Sequence, residues 1–311
     1  MAMAGLDELA GLRRGLGRNG LPIPAYRTLG AGFRSATAGA AVFRLPVSAP
    51  LTGPGRDLLP GAFAVVADAC CGSAVASVMP AGQAALTAQL RVEFIRPVPP
   101  GQPWIEGRAE ADAVDGDGGL GRGEIVDQAD QLLGVASLRL MSASHPRSQA
   151  ATARAVAAQD TAVRAAAMPA TSQLPVPETV AAPRGRPAGS AEFLGVVSQL
   201  AVAGRAAWTL RPSAGTANSF GMVHGGVLGL LAHQVASDAQ QSLIGPGEQL
   251  IPLDLVVNFY RGVPAAGRLI TAAAQVAHRG RRFVVAEGTV TGPDGKPALR
   301  LSAGAQVRAA P

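Results

Sequence analysis

The sequence has little cysteine, few aromatic residues and no long apolar run. Its only two cysteines, Cys70 and Cys71, are adjacent among 311 residues and cannot form an ordinary structural disulfide with each other. This favours a reducing compartment. No apolar stretch reaches the roughly 18 residues that a membrane span needs, and residues 1–20 carry charges where a secretory signal has an apolar segment. We therefore expect a soluble cytoplasmic protein.

The basic balance of the chain does not indicate a nucleic-acid partner. The net charge is +6 and the pI is about 10.5, but the lysines and arginines are scattered and form no long basic run. Aromatic residues make up only 4% of the chain, so few rings could stack on bases. A modest basic patch suits an anionic small molecule better.

Two copies of one sequence pattern lie 165 residues apart. Without gaps, residues 29–99 match residues 194–264 at 20 of 71 positions, which exceeds the level of about one in ten expected by chance for such a composition. The pairs include Gly61/Gly226, Phe94/Phe259 and Arg96/Arg261. Beyond Pro99 the register is expected to slip by about one residue. We predict an extension (1–28), repeat 1 (29–145), a helical and Pro-rich linker (146–190) and repeat 2 (191–311).

Each repeat shows a helix among strands. In repeat 2, residues 201–211 and 249–261 are typical of strands, and residues 225–244 are typical of a helix, with apolar residues at helical spacing. The sequence after 261 predicts two more strands, and a last strand follows the turn at 293–296. Repeat 1 follows with a helix at 61–79 and a strand at 86–96. One helix on a five-stranded antiparallel sheet in each repeat predicts an α+β fold.

One segment, 218–226, with the sequence NSFGMVHGG before an apolar helix, resembles a known family. Together with the later 258–261 and 278–282 patterns, it is similar to the hotdog-fold acyl-CoA thioesterases of the phenylacetate-degradation type, here in a tandem, double-hotdog form. In that family the site lies between two units. One unit supplies an Asn and a Gly that hold the thioester carbonyl, and the other supplies an acid and a hydroxyl. The resemblance implies that the two repeats form a pseudo-dimer.

Carried over to repeat 2, this resemblance assigns carbonyl-holding roles to Asn218 and Gly225. Gly226 follows in the same substrate-binding turn. The acidic position, eight residues after Gly225, is His233, and the hydroxyl position is Pro252. Repeat 2 therefore lacks the acid and the hydroxyl.

Repeat 1 has the opposite deficiency. Where repeat 2 has Asn218, His224 and Gly225, it has Gly53, Leu59 and Pro60, and proline has no N–H to donate to an oxyanion. It keeps the acid, Asp68, and the hydroxyl, Thr87. The resemblance therefore implies one composite site, with its pseudo-symmetric mate inactive.

Asp68 is the central candidate, as general base on water or as a direct nucleophile, with the base favoured. It lies among small apolar residues with no Lys or Arg within four positions, which is a costly place for a carboxylate unless it is paired or functional. The alternative is a solvent-facing Asp. His224 either orients the loop at the helix start or lies on the surface. Thr87 is less certain: strand alternation places it away from the face of Leu86 and Leu90, but at the start of a strand it could still border the site.

The remaining candidates concern ligands. Arg279, Arg281 and Arg282 could pair with coenzyme A phosphates, or could form a solvated hairpin turn. His233 is expected to be a core or interface histidine. The spacing of the histidines and cysteines predicts no metal site, and no cofactor is expected beyond coenzyme A as part of the substrate. A homodimer of double-hotdog chains is possible.

Two other functions remain open at this point. One is a non-catalytic acyl-CoA binder, which would bind tightly without releasing thiol. The other is a hotdog enoyl-thioester hydratase or dehydratase. That class needs a histidine in the loop before the helix, and residues 46–60 contain none.

Overall fold

The computed structural model describes residues 23–53, 57–80, 84–143 and 188–310. Repeat 1 begins with a short helix and a β-hairpin, continues with one long helix, and ends with four long strands. Its elements are α1 (Pro24–Leu29), β1 (Gly32–Thr37), β2 (Ala40–Pro46), α2 (Ala62–Ala76), β3 (Ala84–Phe94), β4 (Trp104–Val114), β5 (Gly118–Val126) and β6 (Leu132–Ala143).

Repeat 2 has the same order of elements. They are α3 (Ala188–Leu194), β7 (Val196–Val202), β8 (Arg205–Leu210), α4 (Gly225–Gln241), β9 (Glu248–Phe259), β10 (Ile270–Arg279), β11 (Phe283–Thr291) and β12 (Pro297–Ala309). The 165-residue register persists to the end, since β5 and β11 differ by 165 at both bounds. The predicted slip beyond Pro99 is therefore wrong: sequence identity fades there, but the spacing of the strands does not.

The sheet has twelve antiparallel strands in the order β1-β2-β4-β5-β6-β3-β9-β12-β11-β10-β8-β7. The two halves join where β3 pairs with β9, from Gln89 opposite Asn258 to Glu93 opposite Asp254. The inward side chains of these strands, such as Leu90 and Val257, are fully buried beneath the two long helices. One helix wrapped by a sheet in each half confirms the α+β double hotdog.

Within the described residues, each repeat contains six strands rather than the predicted five. The predicted strand at 201–211 is broken at Ala203 and Gly204, whose φ angles are +49° and +78°, so β7 and β8 form a hairpin. Positive φ at both central residues fits the twist of a two-residue hairpin turn. Alanine rarely adopts this conformation, so an Ala-Gly pair is a weak turn signal in sequence.

The long helices α2 and α4 pack against each other in antiparallel fashion through glycines. A methyl group on Gly226 would lie 2.6 Å from Val65 Cα, and one on Gly229 would lie 2.6 Å from Ala64 Cβ. Further along, Gly61 lies against Leu230 and His233. This close approach places the N-terminal end of α4 beside the middle of α2, where Asp68 lies.

The short leading helices cross between repeats. Helix α1 packs on the 3-10 turn Ala214–Thr216 of repeat 2, and α3 packs on the 3-10 turn Ala49–Leu51 of repeat 1. Most of the predicted linker, 146–190, lies outside the described residues, as does most of the 1–28 extension. No helix in the described ranges is long and apolar enough to span a membrane.

Candidate active site

Asp68 is buried at the junction of the two repeats, with 9% of its surface exposed. The backbone N–H of Gly226, in the first turn of α4, donates to Asp68 Oδ2 at 2.8 Å. A helix N-terminus offers free N–H groups and a partial positive charge, and both favour a carboxylate there. The alternative of a solvent-facing Asp68 is therefore wrong.

Gly225 gives the carboxylate its space. A methyl group at this position would lie 2.8 Å from Asp68 Oδ2 and 3.0 Å from Oδ1, closer than van der Waals contact allows. Within the described part of the chain, the Gly225 N–H has no hydrogen-bond partner, and the residue is half-buried rather than enclosed. A substrate oxygen that accepted from this N–H would lie directly beside Asp68.

Thr87 also reaches the carboxylate. Its hydroxyl donates to Asp68 Oδ1 at 2.8 Å. Thr87 therefore borders the site, and the orientation expected from strand alternation is wrong. The cause is a bulge in β3: Thr87 pairs with Leu140 and Gln89 with Arg139, which leaves Ala88 as an extra residue. The bulge reverses the alternation, so Leu86, expected to face inward, is 51% exposed.

His224 is the N-cap of α4 and is buried, with 5% exposed. Its Nδ1 lies 3.1 Å from Asp68 Oδ2, and its Nε2 lies 2.8 Å from the hydroxyl of Tyr26. Burial lowers the pKa of His224, and the charge of Asp68 opposes that shift only in part. Of the two interpretations of His224, the structure therefore supports a helix-start residue.

Tyr26 is a site residue that the sequence analysis missed. It lies on α1 in the predicted extension, 42 residues before Asp68 and 198 before His224. Burial, and secondarily the charge of Asp68, raises the pKa of Tyr26 well above its ordinary value. The one available signal was that Tyr26 is one of only two tyrosines in the chain, which was too weak to identify it.

Asn218 does not contact Asp68 in the described structure. Its side-chain oxygen accepts from the backbone N–H groups of Phe220 at 2.9 Å and Met222 at 3.1 Å. These bonds form an Asx turn that shapes the loop leading to His224. The structure thus gives Asn218 a loop-forming contact, and its carbonyl-holding role stays a prediction.

The arginine cluster lies at the other end of repeat 2. Arg279 pairs with Glu248 at the start of β9, with N–O distances of 3.0 and 3.1 Å, while Arg281 and Arg282 are exposed in the β10–β11 turn. The turn lies near the C-terminal end of α4, and a helix of 17 residues is about 25 Å long. The structure therefore does not bring these residues to Asp68, and their binding of coenzyme A phosphates stays a prediction.

The position in repeat 2 that corresponds to Asp68 is surrounded by aromatic rings. His233 occupies the place of Asp68 and is buried, with Phe94 at 5.4 Å between ring centroids, and Phe63 lies 5.3 Å beyond Phe94. Burial lowers the pKa of His233 to about 4, so the ring is neutral near pH 7. This matches the expectation of an interface histidine, and Pro60 offers no N–H at that helix start.

Other features of the described residues lie apart from this site. No group of three or more His, Cys, Asp or Glu side chains there could hold a metal ion. A groove of about 750 Å³ on the outer face of the repeat 1 sheet is lined by residues such as Arg91, Arg108 and Glu124. It contains none of the candidate site residues, and its charged side chains are typical of a solvated sheet face.

Comparison with known proteins agrees with this fold. Solved structures with the same fold include acyl-CoA thioesterase II TesB2 from Mycobacterium marinum (14% identity, TM-score 0.60, 92% of this chain and 98% of that chain). Another is the tesB protein of Mycobacterium avium subs paratuberculosis (14% identity, TM-score 0.57, 98% of this chain and 99% of that chain). A third is a putative thioesterase from Novosphingobium aromaticivorans (13% identity, TM-score 0.58, 88% of this chain and 97% of that chain). No curated protein matches the chain. The thioesterase superfamily profile matches residues 57–134 and 220–298, one segment in each repeat and half of the chain in all. This protein therefore belongs to the thioesterase superfamily, in tandem double-hotdog form.

Proposed function

We propose that this protein is an acyl-CoA thioesterase with one composite active site. The observation that carries the proposal is the burial of the repeat 1 carboxylate, Asp68, against the first turn of the repeat 2 helix, where any side chain at position 225 would displace the carboxylate. The superfamily membership supports thioester chemistry. Proteins of the same fold that are named acyl-CoA thioesterases support coenzyme A as the thiol.

The hydrogen bonds favour different roles for the two carboxylate oxygens of Asp68. Oδ2 of Asp68 is engaged by the Gly226 N–H and faces His224, while Oδ1 accepts only from Thr87 among the described residues. Oδ1 thus has a lone pair left for a proton. The unpartnered Gly225 N–H can donate to the thioester oxygen as negative charge develops there.

The reaction then follows from these positions. Water attacks the thioester carbon while its proton moves to Asp68 Oδ1, and the carbonyl oxygen becomes an oxyanion at the Gly225 N–H. The carbon–sulfur bond breaks, the coenzyme A thiolate leaves with its electron pair, and the proton on Asp68 neutralises it. Asn218 contributes by holding the loop before His224 in place.

The test is a thiol-release assay over acyl-CoA chain lengths and aryl-acyl thioesters. Asp68→Asn removes the base and is expected to lower turnover at least about a hundredfold. Asp112→Asn, at an exposed ion pair on β4, is the matched control and should keep full turnover. Undiminished hydrolysis by Asp68→Asn contradicts the proposal, and tight binding without thiol release indicates the binding protein instead.

The hydratase alternative gains a histidine from the structure, because repeat 2 brings His224 to Asp68. Both ring nitrogens of His224 are occupied, however: Nε2 contacts the Tyr26 hydroxyl, and Nδ1 contacts both the Gly226 N–H and the Asp68 carboxylate. The imidazole therefore has no nitrogen left to exchange a proton with an enoyl thioester. Loss of enoyl absorbance without thiol release would favour hydration.

A further inference from the structure

A continuous chain of polar groups runs from the N-terminal helix into the site. The hydroxyl of Tyr26 lies 2.8 Å from His224 Nε2, and His224 Nδ1 lies 3.1 Å from Asp68 Oδ2. The three residues come from three separate elements: α1, the N-cap of α4 and the middle of α2. All three are at least 91% buried, so water does not compete for these contacts.

The Tyr26 ring is held from several sides. It packs on Phe43 at 4.7 Å and on Phe33 at 6.2 Å between ring centroids, and it also contacts the His224 ring at 4.9 Å. The next residue back, Ala25, donates its backbone N–H to Ala217 of repeat 2 at 3.0 Å. Helix α1 is thus attached to the same repeat 2 segment that leads into His224, so the hydroxyl has little freedom to move.

The direction of this chain follows from which groups hold protons. Among the described residues the Tyr26 hydroxyl has no hydrogen-bond partner other than His224 Nε2, so its proton is satisfied only when it donates to that nitrogen. A neutral imidazole that accepts at Nε2 carries its single proton on Nδ1. That proton points at Asp68 Oδ2. The Gly226 N–H faces two acceptors, Asp68 Oδ2 at 2.8 Å and His224 Nδ1 at 3.1 Å from its nitrogen. With the proton on Nδ1, it donates to the nearer acceptor, the carboxylate, alone.

We propose that Tyr26 is a positioning residue: it fixes the His224 tautomer with the proton on Nδ1, and His224 thereby holds Asp68 Oδ2 and leaves Oδ1 directed at the reacting water. Without the Tyr26 hydroxyl, the ring can place its proton on Nε2 instead. Nδ1 then presents a lone pair to the carboxylate, and the Gly226 N–H is drawn to Nδ1. This inference rests on the proposed thioesterase function for its effect on turnover, but the tautomer itself can be observed without any substrate.

The first experiment is nitrogen NMR of the full chain with ¹⁵N-labelled histidine, in which protonated and bare imidazole nitrogens resonate far apart. The His224 signals are assigned by their loss in His224→Asn. The wild type is expected to show a proton on Nδ1 of His224, and Tyr26→Phe to shift the population toward Nε2. A wild-type His224 with its proton on Nε2 overturns the proposal, whether or not the protein proves to be a thioesterase.

The second experiment measures kcat and KM for thioester hydrolysis. Tyr26→Phe keeps the aromatic ring and is expected to lower kcat about tenfold, the effect of one ordinary hydrogen bond, with KM unchanged. Tyr260→Phe is the matched control, because Tyr260 is the only other tyrosine and is 55% exposed. An unchanged kcat in Tyr26→Phe overturns the positioning role.

A double-mutant cycle separates positioning from structural support. In His224→Asn the side-chain amide can donate to Asp68 and has no tautomers. Adding Tyr26→Phe to His224→Asn is therefore expected to change kcat less than twofold. A tenfold loss in both backgrounds means that Tyr26 acts through packing and not through His224, and the proposal fails. Absence of thiol release in the wild type refutes the proposed function alone, since the NMR result stands apart from it.

Discussion

At the scale of single residues, two glycines on the facing helices α2 and α4 differ sharply in their surroundings. Gly225→Ala places a methyl group 2.8 Å from Asp68 Oδ2, so the carboxylate must move away from the Gly225 and Gly226 N–H groups. We expect thioester turnover to fall at least about a hundredfold, as when an oxyanion donor is lost. Turnover within twofold of the wild type would contradict the placement of the site.

Gly72→Ala is the matched control on α2. A methyl group on Gly72 would meet no heavy atom of the described residues within 4 Å, and alanine is the better helix former. We expect the free energy of unfolding to rise by about 0.5–1 kcal/mol with unchanged turnover. Urea denaturation gives the first value, and the thiol-release assay the second.

Thr87 offers a graded test of the carboxylate's surroundings. Thr87→Val keeps the shape of the side chain but loses the hydroxyl that donates to Asp68 Oδ1 at 2.8 Å, and we expect kcat to fall by about tenfold. Thr87→Ser keeps the donor and is expected to retain most of the activity. Equal losses in the two variants would show that the methyl group, not the hydroxyl, matters.

His233 predicts a pH dependence of stability. Its pKa is lowered to about 4 in the folded protein, while an unfolded histidine titrates near 6.5. Between these values the unfolded chain binds the additional proton, so stability falls as the pH drops. Relative to His233→Gln, the wild type is expected to lose about 3 kcal/mol between pH 7 and pH 4. His278→Gln, at an exposed position on β10, should parallel the wild type.

At the scale of elements, the close packing of helices α2 and α4 depends on two small residues that face each other, Ala64 and Gly229. Gly229→Ala puts two methyl groups 2.6 Å apart, the second being Cβ of Ala64. We expect a loss of about 1–3 kcal/mol from overpacking. Exchanging the pair, Gly229→Ala with Ala64→Gly, removes that contact and leaves Leu90 as the nearest atom at 3.4 Å. Thermal unfolding should show partial recovery in the double variant, and no recovery would mean that the helices do not meet here.

The sequence predicts elements well where a periodic pattern and a repeat agree. The α4 helix, the β9 strand and the 165-residue spacing follow from apolar periodicity and identical residues. The orientation of Thr87 does not, because a bulge is set by pairing with β6 and leaves no mark in β3 itself. The hairpin at Ala203 is missed because its turn residues are ordinary in so alanine-rich a chain.

The sequence likewise locates some residues of the candidate site and misses others. His224 and Gly225 belong to one motif, and Asp68 lies eight residues after Pro60, the repeat 1 equivalent of Gly225, so a resemblance can locate all three. Tyr26 lies in a short helix far away in the sequence, and only the packing of α1 on repeat 2 brings its hydroxyl to His224. A contact made by tertiary structure alone has no spacing that a single sequence could reveal.

At the scale of the whole molecule, each chain should hold one active site. Asp68 lies at the glycine turn of α4, whereas the start of α2 meets His233, Phe94 and a proline. Titration with a non-hydrolysable acyl-CoA thioether is expected to give one bound ligand per chain. His233→Asp restores an acid at the second position but not the missing N–H of Pro60, so it should add no activity. Two ligands per wild-type chain would contradict the single-site arrangement.

The covalent link between the repeats has a consequence for how such a protein can change. In a dimer of identical subunits, replacing a catalytic acid by histidine removes the acid from both sites at once and abolishes activity. Here the histidine at position 233 lies in one half only, beside the rings of Phe94 and Phe63, while Asp68 is a separate position in the other half. In the proposed single-site arrangement, a fused chain can therefore hold hydrophobic core at one of two symmetric positions and a reaction centre at the other.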